Sequence, residues 1–252
     1  VIISGDADIE GLKKVGAAVA DARDTALAAV EPGLSTKDLD DIAAKVLAKH
    51  GARSAPQLTY KFPGVCCVSV NNEAAHGIPS KTRFLKDGDL VNIDVSAELD
   101  GYWADTGAST GVGTITPRAQ ELLSATRKAQ QAAMAAAQAG KGVRNLAKAV
   151  QKQARQSGFT VIENLCGHGL GRSLHDAPQL SSVVDPSNST ILKDGMVLAI
   201  EPFLSMGGTW AMDSADGWTL KTDDGSLVAQ FEHTLIVTKG EPIIVTLGNS
   251  AS

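Results

Sequence analysis

The stretch Leu90-Val91-Asn92-Ile93-Asp94-Val95-Ser96-Ala97-Glu98-Leu99-Asp100-Gly101-Tyr102-Trp103-Ala104-Asp105-Thr106 carries the clearest fold signal in the chain. Two β-prone runs flank Asp-Gly, a dipeptide that accepts the positive φ of a two-residue hairpin turn. With that turn Leu99 faces Tyr102 and paired residue numbers sum to 201, so Ser96 faces Asp105 and Asp94 faces Gly107. Side chains alternate with period two, which puts Asp94 and Asp105 on one face as diagonal neighbours, roughly 7 Å apart at Cβ. Two aspartates on one face among Val, Ile and Ala are costly without counter-charge. Either divalent cations bridge them or the face is wet.

Outward from this hairpin the chain divides into similar halves. A helix over 8–30, with Leu12, Val15, Val19, Ala22 and Ala26 on one stripe, precedes Gly33 and a second helix opened by Ser35-Thr36-Lys37-Asp38 and closed at Gly51. Later, Thr116-Pro117 opens a helix through Leu122, Ala125, Ala129, Ala132 and Ala136, followed by Gly140 and a helix closed at Gly158. An offset of 107 carries Gly33 to Gly140, Leu39 to Leu146, Ala43 to Val150, Leu47 to Ala154 and Gly51 to Gly158. Further strands are expected over 65–70 and 196–201, with 227–238 and 242–247 forming a hairpin around Lys239-Gly240-Glu241. Helices early in each half followed by antiparallel strands read as α+β, not alternating βαβ.

Composition narrows the classes of function. The 252 residues are 43% hydrophobic and 20% charged with net charge −5, enough apolar material for a core and too little charge for disorder. No Lys/Arg block suggests nucleic acid, and no apolar run reaches the roughly 20 residues of a membrane span. Three cysteines, two of them adjacent at Cys66-Cys67, argue against a disulfide framework and for a reducing cytoplasm.

Other chemistry-bearing residues stand apart from the hairpin. Gly167-His168-Gly169-Leu170-Gly171-Arg172 lacks the spacing of a dinucleotide fingerprint, and its glycines let the backbone bend beside His168. His175 follows seven residues later; each histidine reads either as a ligand or catalytic group or as a surface loop residue. Glu201 ends an apolar run before Pro202, as an exit to solvent or a group aimed into a site. Period two sets Glu232 opposite Phe231 and His233. Together Asp94, Asp105, Glu201 and Glu232 supply four carboxylates and His168 one imidazole. Such a set resists folding unless cations neutralise it, and it suits two ions of Mn, Fe, Co or Zn in a two-metal hydrolase.

Asn71-Asn72-Glu73-Ala74-Ala75-His76-Gly77-Ile78-Pro79 resembles a signature segment of the type I methionine aminopeptidases. The segments around Asp94, Asp105, His168, Glu201, Asp216-Gly217-Trp218-Thr219 and Glu232 resemble that family in order and spacing, across nearly the whole chain. The resemblance implies the pita-bread fold, two pseudo-symmetric α+β halves (roughly 8–110 and 116–240) around a dinuclear metal site, within one catalytic domain over 1–252. It implies that Asp94, Asp105 and Glu232 hold one metal and Asp105, Glu232, His168 and Glu201 the other, with Glu201 carrying the proton of a metal-bound hydroxide. It further implies that His76 and His175 contact the substrate amide, and that Phe62, Cys67 and Trp218 line a methionine pocket. The implied substrates are N-termini of nascent polypeptides whose second residue is small, and the expected state is a monomer. Thr59 stands where the family often has tyrosine, Pro56 where cysteine is common and Leu174 where phenylalanine is common. An Xaa-Pro peptidase shares the fold but usually carries an added N-terminal domain. A non-enzymatic binding relative would lack ligands. A serine hydrolase is suggested only by Gly107-Ala108-Ser109-Thr110-Gly111, without the helix that the motif needs.

Overall fold

In the computed structural model, which describes residues 1–248, the central hairpin takes the expected register: Leu99 pairs with Tyr102, Ser96 with Asp105 and Asp94 with Gly107. Asp100 and Gly101 turn at φ 53° and 83°, the left-handed pair that matches the twist of the flanking strands. The strands Leu90–Leu99 and Tyr102–Gly111 are the longest in the fold. Val91, Ile93, Val95 and Ala104 lie in the first hydrophobic core, so alternation turns Asp94 and Asp105 to the opposite face. Cys67–Val70 adds to the same sheet with Cys67 opposite Asp94. The strand expected from residue 65 starts at Cys67 because Val65 and Cys66 donate their N–H groups to the buried Asp40 carboxylate, at 2.7 and 2.9 Å.

The helices are α1 (Asp6–Ala28), α2 (Thr36–His50), α3 (Ala55–Tyr60), α4 (Pro117–Ala135) and α5 (Arg144–Ser157). α1 starts and ends two residues earlier than the periodicity suggests, with the same stripe buried. α2 opens on a reciprocal cap, Asp38 N–H to Ser35 Oγ at 3.2 Å and Ser35 N–H to Asp38 Oδ2 at 2.9 Å. α4 opens with Ala119 N–H donating to Thr116 Oγ1 at 3.2 Å. Both α2 and α5 end on a left-handed glycine, Gly51 at φ 71° and Gly158 at φ 68°, where any other side chain would be strained. Leu39, Ala43 and Leu47 of α2, and Leu146, Val150 and Ala154 of α5, are all buried. The repeat is therefore structural. Each half has its own core, centred on Val19, Leu39 and Ile93 in the first and on Leu122, Leu146 and Leu198 in the second. Each such side chain contributes about 1.5–3 kcal/mol on burial.

The second half holds a five-stranded antiparallel sheet in the order Ile243–Ile244, His233–Ile236, Val197–Ile200, Cys166–Gly169, Asp176–Ser181. One expectation fails here. The strand expected over 227–238 is two strands in different sheets: Val228–Gln230 pairs with Phe203–Ser205, and His233–Ile236 with Val197–Ile200. The break falls at Phe231 and Glu232 because Phe231 bridges Ala108 and Glu232 N–H donates to Gly107 O at 2.7 Å. The alternation of side chains nevertheless persists across the break: Glu232 shares a side with Gln230, while Arg127 lies over the Phe231 ring and near His233 on the other. Residues 249–252 of the expected unit lie outside the described residues.

Candidate metal centre

Four elements bring their functional groups to one cavity of about 730 Å³, and a fifth lies beside them. Asp94 and Asp105 come from the central hairpin, His168 from the Cys166–Gly169 strand, and Glu201 from the residue after Val197–Ile200. Glu232, from the strand break, is buried beside Asp105 and His168 without lining the cavity itself. One ligand atom each from Asp105, His168 and Glu232 lie within 4.8 Å of one another. His168 Nε2 is 3.4 Å from Glu201 Oε1 and 3.9 Å from Asp105 Oδ2. Asp94 sits diagonally across the hairpin from Asp105, close enough for its charge to raise the Asp105 pKa.

These groups suit a cation better than one another. Burial raises all four carboxyl pKa values; Glu232 and Asp94 raise Asp105 further, and Asp94 and Asp105 raise Glu201. For Glu232, the charges of Glu201 and Asp94 add to burial, while Gln230 and Arg23 oppose it. Burial, with His175 nearby, lowers the His168 pKa to about 4, so its ring is neutral at pH 7. His168 Nδ1 lies 3.0 Å from Gly169 O, which can only accept, so Nδ1 carries the proton and Nε2 presents a lone pair. A lone pair facing two carboxylates repels them unless a cation sits between. Asp105 Oδ1 and Glu232 Oε1 are buried without a hydrogen-bond partner. Leaving such an acceptor unpaired costs about 1–3 kcal/mol, more when it is charged. The donor set fits divalent ions.

The neighbouring groups hold the carboxylates from behind. Thr234 Oγ1 accepts from Asp105 N–H at 2.9 Å and donates to Asp105 O at 2.7 Å. Reciprocally, Thr106 Oγ1 donates to Glu232 O at 2.9 Å, and the buried Arg23 guanidinium donates to Thr106 Oγ1. Asn92 Nδ2 donates to Gln230 Oε1 at 2.8 Å, and Gln230 Nε2 to Glu232 Oε2 at 3.0 Å. Ser109 is spent in this frame, donating to Gln230 O and accepting from Gln230 N–H, both at 3.0 Å. It lies inside a strand with no nucleophile elbow, which removes the serine-hydrolase reading.

The cavity also gathers His76, His175, Phe62, Cys67 and Trp218. Phe62 and Trp218 meet edge to face at 5.2 Å. Trp218 is placed by Asp216, whose Oδ1 accepts from Trp218 N–H at 2.9 Å and from Thr219 N–H at 2.8 Å. The His175 ring lies 4.2 Å from that of His168. Desolvation lowers the pKa of His76 and of His175, with His76 adding to the shift at His175. Pro56 and Leu174 line the cavity, whereas Thr59 does not. Its neighbour Tyr60, absent from the sequence reading, lines the cavity and places Oη 2.7 Å from His175 Nδ1. α3 puts it there, and the signal for α3 was legible: Ser54 caps it, with Pro56 in its first turn. Cys166, Gln179 and Phe203 are further lining residues that sequence reasoning missed.

A buried carboxylate–imidazole centre under an apolar pocket, on two repeated α+β halves, is the architecture of a metallopeptidase. The chain belongs to metallopeptidase family M24, whose model matches residues 10–239, and its fold is the pita-bread fold. It is 50% identical to methionine aminopeptidase 2 of Bacillus subtilis over 98% of this chain and 99% of that one. It superposes on the crystal structure of a methionine aminopeptidase from Thermotoga maritima with TM-score 0.94 and 34% identity, covering 98% of this chain and 99% of that one. The fold likeness extends to a prolidase from Pyrococcus furiosus, at TM-score 0.77 and 20% identity, where 98% of this chain covers 65% of that one.

Proposed function

We propose that this protein removes N-terminal methionine from polypeptides whose second residue is small. The observation that carries the reading is the wall of Phe62, Cys67 and Trp218 in the same cavity as the acidic groups. Its aromatic and sulfur surfaces suit a thioether side chain. Two divalent ions (Co, Mn, Fe or Zn) would be held by Asp94, Asp105 and Glu232 and by Asp105, Glu232, His168 and Glu201, with Asp105 and Glu232 shared. Ions so held would polarise the scissile carbonyl and acidify water. Glu201 takes the proton from the attacking water and returns it to the leaving amine. Its raised pKa, caused by burial and then by Asp94 and Asp105, suits a group that holds a proton between those steps. His76 and His175, both neutral, donate to the oxygen on which charge develops. The unit that does this is one catalytic domain built from both halves, acting on nascent chains in the cytoplasm.

The test is a metal-replete assay of Met-Ala-Ser, Met-Lys-Ser and Ala-Pro peptides for release of the first residue. Fast release from Met-Ala-Ser alone is expected, because a bulky second side chain would displace the scissile bond, and a displacement of about 1 Å costs on the order of 10²-fold. Equal rates for Met-Ala-Ser and Met-Lys-Ser would remove the size gate, and faster release from Ala-Pro would move the protein to an Xaa-Pro activity.

A further inference from the structure

Tyr60 is the last residue of α3 and is 47% exposed, so burial of apolar surface does not account for its placement. What it does reach is His175, 115 residues away in sequence, with Oη 2.7 Å from Nδ1 and ring centroids 5.6 Å apart. Resting on the function proposed above, we propose that Tyr60 is a positioning residue that fixes His175 as its Nε2–H tautomer and aims that proton at the substrate carbonyl.

The direction of the hydrogen bond follows from the partners. A phenol is a good donor and a poor acceptor, whereas the unprotonated imidazole nitrogen is a strong acceptor, so Tyr60 O–H donates to His175 Nδ1. A neutral imidazole carries one N–H, and with Nδ1 accepting, that proton resides on Nε2. His168, whose ring centroid lies 4.2 Å from that of His175, shows the opposite arrangement: its Nδ1–H donates to Gly169 O, leaving Nε2 as a lone pair for a metal. Two neighbouring histidines are thus set in opposite tautomers, one as a ligand and one as a donor.

The surroundings leave Tyr60 as the group that decides the orientation of His175. The backbone of the His175 loop is already held elsewhere. Trp103 N–H donates to Gly171 O at 3.1 Å, Arg172 bonds Asp8 at 2.6 Å, and Ser173 Oγ donates to His175 O at 3.2 Å. Those contacts fix the chain but not rotation of the imidazole, whose side-chain bond recorded here is the one to Tyr60. Tyr60 is itself set by α3: Ser54 Oγ donates to Val65 O at 2.7 Å at one end, and Lys61 turns left-handed at φ 59° at the other.

The experiment compares wild type, Tyr60→Phe, His175→Ala and the double variant, all metal-replete, on Met-Ala-Ser. Loss of one neutral hydrogen bond predicts that Tyr60→Phe lowers kcat roughly 3- to 10-fold while KM stays within about twofold. In the His175→Ala background Tyr60→Phe should have no further effect. Nitrogen NMR of zinc-loaded, histidine-labelled protein, with His175 assigned by its loss in His175→Ala, should show Nε2–H in wild type and a mixture of tautomers in Tyr60→Phe. An Nδ1–H signal in wild type, a KM rise at unchanged kcat, or a full additional loss in the double variant would each overturn the proposal. Inactivity of wild type on every N-terminal-methionine peptide would overturn the function instead, and the two failures separate because the nitrogen spectrum needs no substrate.

Discussion

Thr234→Val tests whether the metal centre depends on a hydroxyl that never touches it. The substitution keeps shape and volume but removes both bonds from Oγ1 to the Asp105 backbone, at 2.9 and 2.7 Å. Thr234 is fully buried, so no water replaces the hydroxyl, and the Asp105 N–H and C=O are left without partners. At about 1–2 kcal/mol for each stranded group, the expected loss is about 2–4 kcal/mol. For a chain of this size that lowers Tm by roughly 4–16 °C. Because Asp105 is shared between the proposed ion positions, metal affinity should fall roughly 10- to 100-fold, as for other groups that orient ligands. Thr234→Ser keeps the hydroxyl and should recover most of both losses. Thermal unfolding with and without metal, together with calorimetric metal titration, reads each quantity. A valine variant within about 0.5 kcal/mol of wild type, the range of an inert substitution, or a serine variant as damaged as valine, would refute the reasoning.

Asp105→Asn and Glu232→Gln should abolish activity and lower bound metal, with the metal-free forms melting no lower than wild type because a repelling charge is gone; full metal content by elemental analysis would contradict shared ligation. His76→Ala and His175→Ala should each reduce kcat about 10²–10³-fold with metal content near normal, and parallel loss of metal would make them ligands instead. The metal-free protein should lose stability as pH rises from about 4 through neutrality. Its buried carboxyls have folded pKa values above their unfolded ones, so the folded state binds more protons in that window and raising pH strips a stabilising proton. Metal should abolish this slope, and denaturant midpoints across pH with and without chelator measure it.

What the sequence made legible was what local chemistry decides. Asp100-Gly101 forces a turn of fixed length, and the register of Asp94 and Asp105 follows from it. Gly51 and Gly158 mark helix ends because they alone suit that backbone, which exposed the repeat. The misses have distant causes. Nothing near Glu232 announces that Gly107 O will take its N–H and break the strand, and nothing near Val65 announces Asp40. The pocket histidines, Phe62, Cys67 and Trp218 were placed by resemblance, and the fold brings them to one cavity. Tyr60 was missed because its partner His175 is 115 residues away in sequence and nothing near the end of α3 announces that contact.

The reciprocal threonines have a consequence for how the protein matures. Asp105 is clamped by a hydroxyl 129 residues downstream, and Glu232 by one 126 residues upstream. Neither half can therefore finish its share of the centre alone. During synthesis the first half can bury its own core early, but its aspartate stays unclamped until Thr234 leaves the ribosome. Tight metal capture thus marks the final docking of the halves, and a chain stalled before that point would carry its acidic groups without a grip on any ion.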